Sequence, residues 1–339
     1  MLDRATPLPA LLSELQRIRL RAIFLCALTW PLAGGAALAG VTASTGEPVR
    51  AAGAETAVTI REVAPGVFVH LGQQLALDAP GHDDIANIGF IVGAKCVAVI
   101  DTGGSMRIGR ALRAAIRQRT RLPICYVVNT HVHVDHVLGN AAFDQDRPSF
   151  IGHWALAAAM ARSRDFFLQH YADDLEQPPS AAQIIAPDRL VAQTLELDLG
   201  GRRLSLRAWP TAHTDCDLTV LDDQSRTLWT GDLLFRDRLP ALDGSASGWL
   251  AVIDQLARLQ VRRTVPGHGP LTVDLASALN AERRYLRALI EGVHDELAQG
   301  GSMQDAIAHV AAAEKPKWLL WDSTHPHNVA RVYEQMEWE

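Results

Sequence analysis

Short apolar runs and helical periodicity alternate along the chain from residue 58 to residue 232. Three apolar runs predict strands at 67–70, 88–92 and 97–100, because runs of this length between Gly and polar residues are typical of buried strands. The next apolar residues recur at the spacing of one helix face: Met106, Ile108, Leu112 and Ile116. A helix over 155–175 and strands over 190–232 follow. The pattern predicts two successive units, each built of strands and helices.

Helical periodicity dominates the region after residue 273. Helices are predicted over 275–297 and 303–313, where they would form either a small lid or an oligomer contact. The apolar segment 315–321 is expected to be buried, and a terminal helix around Val329 and Val332 is expected to pack on the core. The histidines at 325 and 327 flank a proline, and we expect them to cap and pack rather than to bind metal.

The first 39 residues have the pattern of an export signal. Arg17, Arg19 and Arg21 precede an apolar run that is short for a membrane span, and Ala-Leu-Ala at 37–39 offers a cleavage site. We therefore expect a periplasmic protein without stable membrane insertion after cleavage. A retained anchor is the alternative, because the region before the arginines is long for a signal. Residues 40–57 are rich in Ala, Thr, Gly and Glu and predict a disordered linker.

Composition narrows the classes of function. A chain of 339 residues that is 48% hydrophobic and 21% charged can bury one large core. Its net charge of −6 gives no general attraction to nucleic acid, so a small-molecule substrate is expected. Cys96 and Cys125 begin strands that should be neighbours, but spacing alone does not decide whether they pair.

A dense group of metal-binding residue types follows the apolar run 124–128. His131, His133, Asp135 and His136 supply three imidazoles and one carboxylate within six residues. Zn²⁺ and similar cations accept these ligands at neutral pH without costly deprotonation. In an extended chain His131 and His133 share a face, whereas Asp135 and His136 need a turn. Four ligands so close together predict a site for two metals.

Further ligands are expected in distant segments, because a catalytic zinc ion takes about three protein groups and a water. His213, Asp232 and His268 are the candidates. Each follows an apolar run and lies near a breaker, Pro210, Gly231 or Gly267, which predicts three strand-to-loop junctions. Asp232 comes after Gly231, which admits a tight bend, and His268 lies between Gly267 and Gly269.

In this order the residues resemble the metallo-β-lactamase superfamily, whose pattern is an Asp after a strand, His-x-His-x-Asp-His, a lone His, a lone Asp and a final His. The resemblance implies an α/β (α+β) fold, a four-layer αββα sandwich, as a catalytic domain over 58–273 with a C-terminal helical extension over 274–339. It implies a first metal at His131, His133 and His213, and a second at Asp135, His136 and His268, with Asp232 bridging. Asp101 would be either a residue that orients a ligand or a strand-end cap.

Ligand identities narrow the choice within that superfamily. Di-iron redox members usually carry Glu where this chain keeps His133, which favours hydrolysis. Zinc β-lactamases generally carry Cys or Ser at the position of Asp232, whereas thioesterases of the glyoxalase II type and lactonases carry Asp. Cys216 lies three residues after His213, and we interpret it as a small residue before the next strand rather than as a ligand.

Three other segments resemble the quinoprotein relay system zinc metallohydrolases, which are periplasmic relatives of the sulfur-oxidation protein SoxH. They are residues 83–93, 213–218 and 328–339. This resemblance implies a functional link to a pyrroloquinoline-quinone (PQQ) dependent alcohol dehydrogenase. It leaves the substrate open.

The expected cofactor is two Zn²⁺ per chain, although iron or manganese also tolerates this ligand set. A hydroxide between the ions would attack a small activated carbonyl compound such as a thioester or related ester. Asp135 would orient the nucleophile or move a proton, and Asp232 would hold the two ions together. Asp101 or Asp217 would accept the free ring N–H of a ligand histidine. His153 would either line the substrate cleft or pack at a helix N-terminus. The alternatives are β-lactam hydrolysis, and a metal-dependent binding or accessory factor without turnover.

Overall fold

Two β-sheets form the centre of the protein in a computed structural model that describes residues 58–337. The predicted signal (1–39) and linker (40–57) lie outside the described residues. The first sheet has seven strands, in spatial order β1 (Ile60–Ala64), β2 (Val67–His70), β3 (Ile88–Val92), β4 (Val97–Ile100), β5 (Ile124–Val128), β6 (Ser149–His153) and β7 (Arg189–Val191). Strands β1 to β4 pair antiparallel, and β4 to β7 pair parallel.

The second sheet has five strands. Their spatial order is β12 (Arg263–His268), β11 (Thr227–Phe235), β10 (Leu218–Asp222), β9 (Arg203–Ala208) and β8 (Thr194–Asp198). All neighbours pair antiparallel except β11 and β12, which are parallel. The helices are α1 (Met106–Arg119), α2 (Val134–Val137), α3 (Leu156–His170), α4 (Ala246–Leu256), α5 (Leu275–Ala298), α6 (Met303–His309) and α7 (Trp321–Glu337).

The sheets pack face to face, and helices cover their outer sides. Strand β4 shows why its residues form an unbroken apolar run: Ala98 and Ile100 pack against the second sheet, while Val97 and Val99 pack against α1. Side chains alternate across a strand, so a strand buried on both faces carries no polar position. The predicted four-layer αββα sandwich is confirmed.

The C-terminal helices share one apolar core with the second sheet. Leu286 of α5 and Val329 of α7 pack in the same cluster as Trp249 of α4 and Leu228 of β11. Helix α6 ends at His309, earlier than the predicted 313, and the chain then passes through a positive φ at Ala311. Among residues 58–337, no helix combines the length and hydropathy that crossing a membrane requires.

His325 is a packing residue, as its sequence context predicted. Its Nδ1 accepts a hydrogen bond from the Tyr285 hydroxyl, its Nε2 donates to Val310 O, and its ring stacks on Trp321. The cysteines at 96, 125 and 216 form no disulfide.

Candidate metal centre

The predicted donors lie in loops, in one short helix and in two strands of the second sheet, and the two sheets bring them together. Asp101 follows β4 and His131 follows β5, and the carboxyl ends of these parallel neighbours share one sheet edge. From the second sheet, His213 lies between β9 and β10, Asp232 lies within β11, and His268 ends β12. Strand β11 continues to Phe235, past the end predicted at residue 232, with shifts of register around Gly231.

Helix α2 provides the turn that the His-x-His-x-Asp-His run needs. His133 is its N-cap, and Asp135 and His136 lie within its single turn. The turn carries Asp135 and His136 to a different part of the site from His131 and His133. His136 is fully buried, and the structure buries Asp135 almost completely.

The donors form two groups, in each of which the ligand atoms lie within 4.8 Å of one another. One group contains His131, His133, His213 and Asp232, and the other contains Asp135, His136 and His268. All seven predicted ligands are therefore brought together, and their division follows the one that the resemblance implied.

Distances between donor atoms suit shared cations. His133 Nδ1 and His213 Nε2 are 3.0 Å apart, and His268 Nε2 lies 3.3 Å from Asp135 Oδ2. Two ligands of one tetrahedral zinc ion, each bonded at about 2.0–2.1 Å, are separated by roughly 3.4 Å. The observed spacings are thus close to those of a filled site.

Asp232 contacts both groups. Its Oδ2 lies 3.5 Å from His213 Nε2 and 3.2 Å from His268 Nε2, and its Oδ1 lies 3.2 Å from His136 Nε2. The carboxylate lies next to Gly231, whose φ of 51° is in the left-handed region, and a Cβ there would approach the Thr130 side chain to 2.6 Å. The glycine therefore permits the bend that aims Asp232 between the two groups.

Four histidines are held with one nitrogen bound outside the site and the other facing into it. Each uses Nδ1 for the outer contact, which leaves the Nε2 lone pair free to bind a cation. The outer partners are Thr130 Oγ1 for His131, Asp101 Oδ2 for His136, Ala241 O for His213 and Ile85 O for His268, at 3.0, 2.8, 2.7 and 2.8 Å respectively.

His133 has the opposite orientation. Its Nε2 donates to Asp243 Oδ2 at 2.6 Å, and its Nδ1 faces His213. Asp243 also accepts a hydrogen bond from His327 Nε2 at 2.7 Å, which joins α7 to the site. Burial tends to raise the pKa of Asp243, but the bonds from His133 and His327 outweigh it and hold that pKa below its ordinary value.

Some buried polar atoms of the site have no hydrogen-bond partner: His131 Nε2, His136 Nε2 and Asp232 Oδ1. Polar atoms buried in this way are rare in folded proteins, because each costs about 1–3 kcal/mol. A cation among these atoms removes that cost. The residues present therefore fit a pair of divalent metal ions.

The site also has a strongly negative potential. Burial opposes protonation of His136, yet Asp232, Asp135 and Asp101 hold its pKa well above the ordinary value. Burial lowers the pKa of His213 to about 4, with a further contribution from His133, so that imidazole is neutral at pH 7. His213 is thus already in the neutral form that a metal ligand needs, whereas His136 must release a proton when a cation binds.

Asp101 contacts a ligand histidine and Asp217 does not. Asp101 accepts three hydrogen bonds, from Thr130 N, Thr130 Oγ1 and His136 Nδ1. Asp217 instead accepts from the backbone N–H and the hydroxyl of Thr214, and burial raises its pKa to about 7. Of the two residues predicted to accept from a ligand histidine, Asp101 makes that contact, and Asp217 instead holds the loop after His213.

His153 and Cys216 lie outside the two groups. His153 is buried at the end of β6, where its Nδ1 accepts from Ala155 N, the N-cap of α3, and its Nε2 donates to Trp209 O. Of its two predicted positions, the one at the helix N-terminus agrees with these contacts, and His153 does not line the cleft. Cys216 is buried in an apolar cluster with Val134 and Leu156, in agreement with its interpretation as a small packing residue.

Asp83 and Asp84 lie in a short turn before β3, and both carboxylates are hydrogen-bonded. Asp83 is 6% exposed and accepts hydrogen bonds from Ser105 and Arg107. Asp84 accepts from His70 Nε2 at 2.6 Å. The two carboxylates therefore fasten this turn to the first sheet and to α1.

An open cleft of about 820 Å³ gives access to the centre. Asp135, Asp232 and His268 lie at its base, and apolar side chains such as Leu77 and Phe166 form part of its wall. Asp243 and Arg238 also line it, and neither was predicted from the sequence. Both lie in the loop between β11 and α4, where a charged residue is ordinary and nothing in the local pattern marks it as functional.

The metallo-beta-lactamase superfamily profile matches residues 82–268, more than half of the 339-residue chain. The chain belongs to this superfamily, and its fold and donor groups define it as a metal-dependent hydrolase. No curated protein sequence matches the chain.

Solved structures resemble it at low sequence identity. The metallo-beta-lactamase from Pontibacter korlensis is 18% identical with a TM-score of 0.56, over 68% of this chain and 99% of its own. The protein TMB-1 is 17% identical with a TM-score of 0.53, over 68% and 98%. The stereoselective inverting sec-alkylsulfatase Pisa1 from Pseudomonas sp. is 18% identical with a TM-score of 0.60, over 82% of this chain and 50% of its own. These similarities establish the fold alone.

Proposed function

We propose that the protein binds two zinc ions and hydrolyses a small activated carbonyl compound, with a thioester or related ester as the substrate class. The observation that carries the proposal is the orientation of five buried or partly buried histidines, each with one ring nitrogen hydrogen-bonded outside the centre and the other facing into it. Zinc is proposed because it accepts His and carboxylate ligands in tetrahedral sites, while iron or manganese is the alternative if availability in the cell favours it.

A pair of such ions, when bound, activates water at neutral pH and stabilises the negative charge that develops in hydrolysis. The protein contributes by holding the ions in position. His131, His133 and His213 would hold one ion, and Asp135, His136 and His268 the other. Asp232 would contact both, as its distances to the two groups allow.

Asp135 is the residue that we assign to orient the nucleophilic water. It lines the cleft, and burial alone would raise its pKa, but His136 and His268 lower that pKa below the ordinary value. An ionised carboxylate at the base of the cleft can accept a hydrogen bond from the attacking water and orient it. We therefore assign Asp135 to orientation of the nucleophile and proton transfer, and Asp232 to holding the ions at a fixed separation.

Two features support a thioester or ester. A carboxylate at position 232, rather than a thiolate, belongs to the thioesterase and lactonase pattern described above, and the cleft combines an apolar wall with a polar base. β-Lactam hydrolysis is the second candidate, because two similar structures are described as metallo-beta-lactamase and TMB-1 and each is matched over nearly its whole length.

We also propose export to the periplasm and a link to PQQ-dependent alcohol oxidation. Both rest on the sequence alone, the first on residues 1–39 and the second on the segments 83–93, 213–218 and 328–339. Cell fractionation with N-terminal sequencing tests the first. A growth defect on alcohols after deletion, restored by the wild-type gene and not by a His268→Ala variant, tests the second.

The main experiment combines elemental analysis of protein matured in the periplasm with a substrate panel of thioesters, lactones, a chromogenic cephalosporin and alkyl sulfates. The proposal predicts two zinc ions per chain and fastest turnover of a thioester. Rapid cephalosporin turnover would instead favour the lactamase reading. A fully loaded protein that is inert toward the whole panel would favour the accessory factor.

A further inference from the structure

Arg238 is a buried cation in the wall of the cleft. Its side chain follows β11, is 8% exposed and lines the same cavity as Asp135 and Asp232. An isolated β-bridge to Leu319 fixes its backbone against the segment that precedes α7. Within residues 58–337, none of the ion pairs of the structure includes Arg238, although arginine carries five N–H donors.

Among the described residues, the Arg238 side chain makes one hydrogen bond, and its geometry is poor. Its Nη1 lies 3.2 Å from His268 Nδ1, but that nitrogen already donates its proton to Ile85 O at 2.8 Å. With Nε2 of His268 facing the metal centre, Nδ1 has no lone pair left to accept a second donor. Arg238 Nε has no hydrogen-bond partner at all. The guanidinium therefore has unused donors where burial makes them costly.

A second guanidinium in the cleft is also without a hydrogen-bond partner at Nε. Arg331 of α7 is half-buried and lines the same cavity. Arg162, by contrast, lies in the cleft wall with its charge paired to Asp215 at 2.6 Å. The cleft thus contains one neutralised arginine and two whose donors remain available to a ligand.

The carboxylates near Arg238 do not supply the missing acceptor. Asp135 and Asp232 are committed to the metal centre in the proposed function, and neither is within ion-pair distance of Arg238. With cations in place, Arg238 adjoins a centre whose negative charge is already balanced. An additional anion is then needed to satisfy the guanidinium.

We infer that the substrate carries an oxyanion group, and that Arg238 binds this group inside the cleft, beside the bond that is cleaved. The group is a carboxylate, a sulfate or a phosphate, and Arg331 strengthens its binding. The inference rests on the proposed function and narrows it from activated esters in general to anionic ones. Because Arg238 adjoins His268, the anionic group must lie close to the reacting carbonyl, as in a short dicarboxylic monothioester.

Matched substrates test this inference. Two thioesters with acyl chains of equal length, one ending in a carboxylate and the other in its methyl ester, are compared with the wild type, Arg238→Met and Arg238→Lys. We expect Arg238→Met to lower kcat/KM for the charged substrate by about 10- to 100-fold, the value of a hydrogen-bonded charge, and to leave the neutral one within about threefold. Arg238→Lys should fall between, and the control Arg162→Met should affect neither. Equal losses on both substrates, or no loss on either, would overturn the inference.

A binding measurement separates this inference from the proposed hydrolysis. Calorimetry on the zinc-loaded full-length chain with succinate, inorganic sulfate and inorganic phosphate identifies which oxyanion depends most on Arg238. If the wild type binds one of them and Arg238→Met binds it at least about tenfold more weakly, the anion site stands even if no thioester is hydrolysed. If Arg238→Met loses zinc by elemental analysis, the residue supports His268 structurally and the inference is overturned. Identical anion binding in the wild type and in all variants would also overturn the inference.

Discussion

Replacement of Asp101 by Asn is expected to weaken the metal site that contains His136. Asp101 Oδ2 accepts from both His136 Nδ1 and the Thr130 hydroxyl, while Oδ1 accepts from Thr130 N. In Asp101→Asn the side chain is neutral, and one of its two acceptor positions becomes an NH2 donor, which faces either Thr130 N or His136 Nδ1. The bond to His136 is therefore either lost or no longer strengthened by a carboxylate charge, and the imidazole is held less firmly with its Nε2 lone pair toward the centre. The φ of 53° at residue 101 is one that Asn tolerates well, so the backbone should be retained.

The size of the effect follows from the loss of one orienting contact. Removal of a group that orients a metal-bound histidine typically costs 10- to 100-fold in metal affinity, or about 1.4–2.7 kcal/mol. The loss should fall on the second ion, at Asp135, His136 and His268. The first ion keeps the outer contacts of His133 and His213 and feels the change only through the Thr130 hydroxyl that contacts His131, so its loss of affinity should be smaller.

Zinc titration in competition with a chromophoric chelator measures both affinities. Asp217→Asn is the matched control, because Asp217 is equally buried and accepts its hydrogen bonds from Thr214 rather than from a ligand histidine. We expect Asp101→Asn to bind one ion tightly and the other more weakly, and Asp217→Asn to resemble the wild type. The reasoning is refuted if Asp101→Asn binds both ions with wild-type affinity, or if the two variants lose affinity equally while both stay folded by circular dichroism.

Three further predictions concern other parts of the structure. Asp243→Asn removes the carboxylate that accepts from His133 Nε2, and it should weaken binding of the first ion by about 10- to 100-fold in the same chelator titration. Unchanged affinity for that ion would contradict this prediction. Burial lowers the pKa of His325 to about 4 from the ordinary 6.5, so the unfolded chain gains a proton that the folded chain excludes as pH falls from 6.5 to 4. The free energy of unfolding of the metal-free protein, measured with urea, should therefore fall by about 3 kcal/mol between pH 6.5 and pH 4 because of this residue. The His325→Gln variant should lack this contribution. An identical pH dependence in both proteins would contradict the assigned pKa of His325. Gly267→Ala places a Cβ against Asp232 Oδ1, so it should reduce both zinc affinity and the rate of hydrolysis by at least about tenfold. Wild-type zinc affinity and wild-type hydrolysis in this variant would show that Asp232 moves freely.

Much of the fold could be predicted because both faces of the central strands are buried. The apolar run at 97–100 and the helical spacing at 106–116 correspond to β4 and α1, since their side chains pack between layers. Boundaries were less predictable where backbone geometry decides them. Helix α6 ends at His309 although the alanine-rich sequence beyond it favours a helix, because Ala311 turns into the left-handed region.

The seven donors could be predicted because their residue types and order are restrictive. The contacts around them could not, because the same acidic side chain can orient a ligand or hold a loop according to distances of a few ångströms. Asp101 follows β4 and Asp217 precedes β10, and neither position shows in the sequence that one accepts from His136 and the other from Thr214. Arg238 and Asp243 come from a loop whose path depends on α7, which packs beneath it through Asn328.

The central claim is that the seven donors hold two ions, with Asp232 between them. Its most direct test is an anomalous-difference map from crystals of the zinc-loaded protein, recorded at the zinc absorption edge. The account predicts two peaks about 3.5–4 Å apart, one at His131, His133 and His213 and the other at Asp135, His136 and His268. A single peak, or zinc bound without either triad, would contradict it.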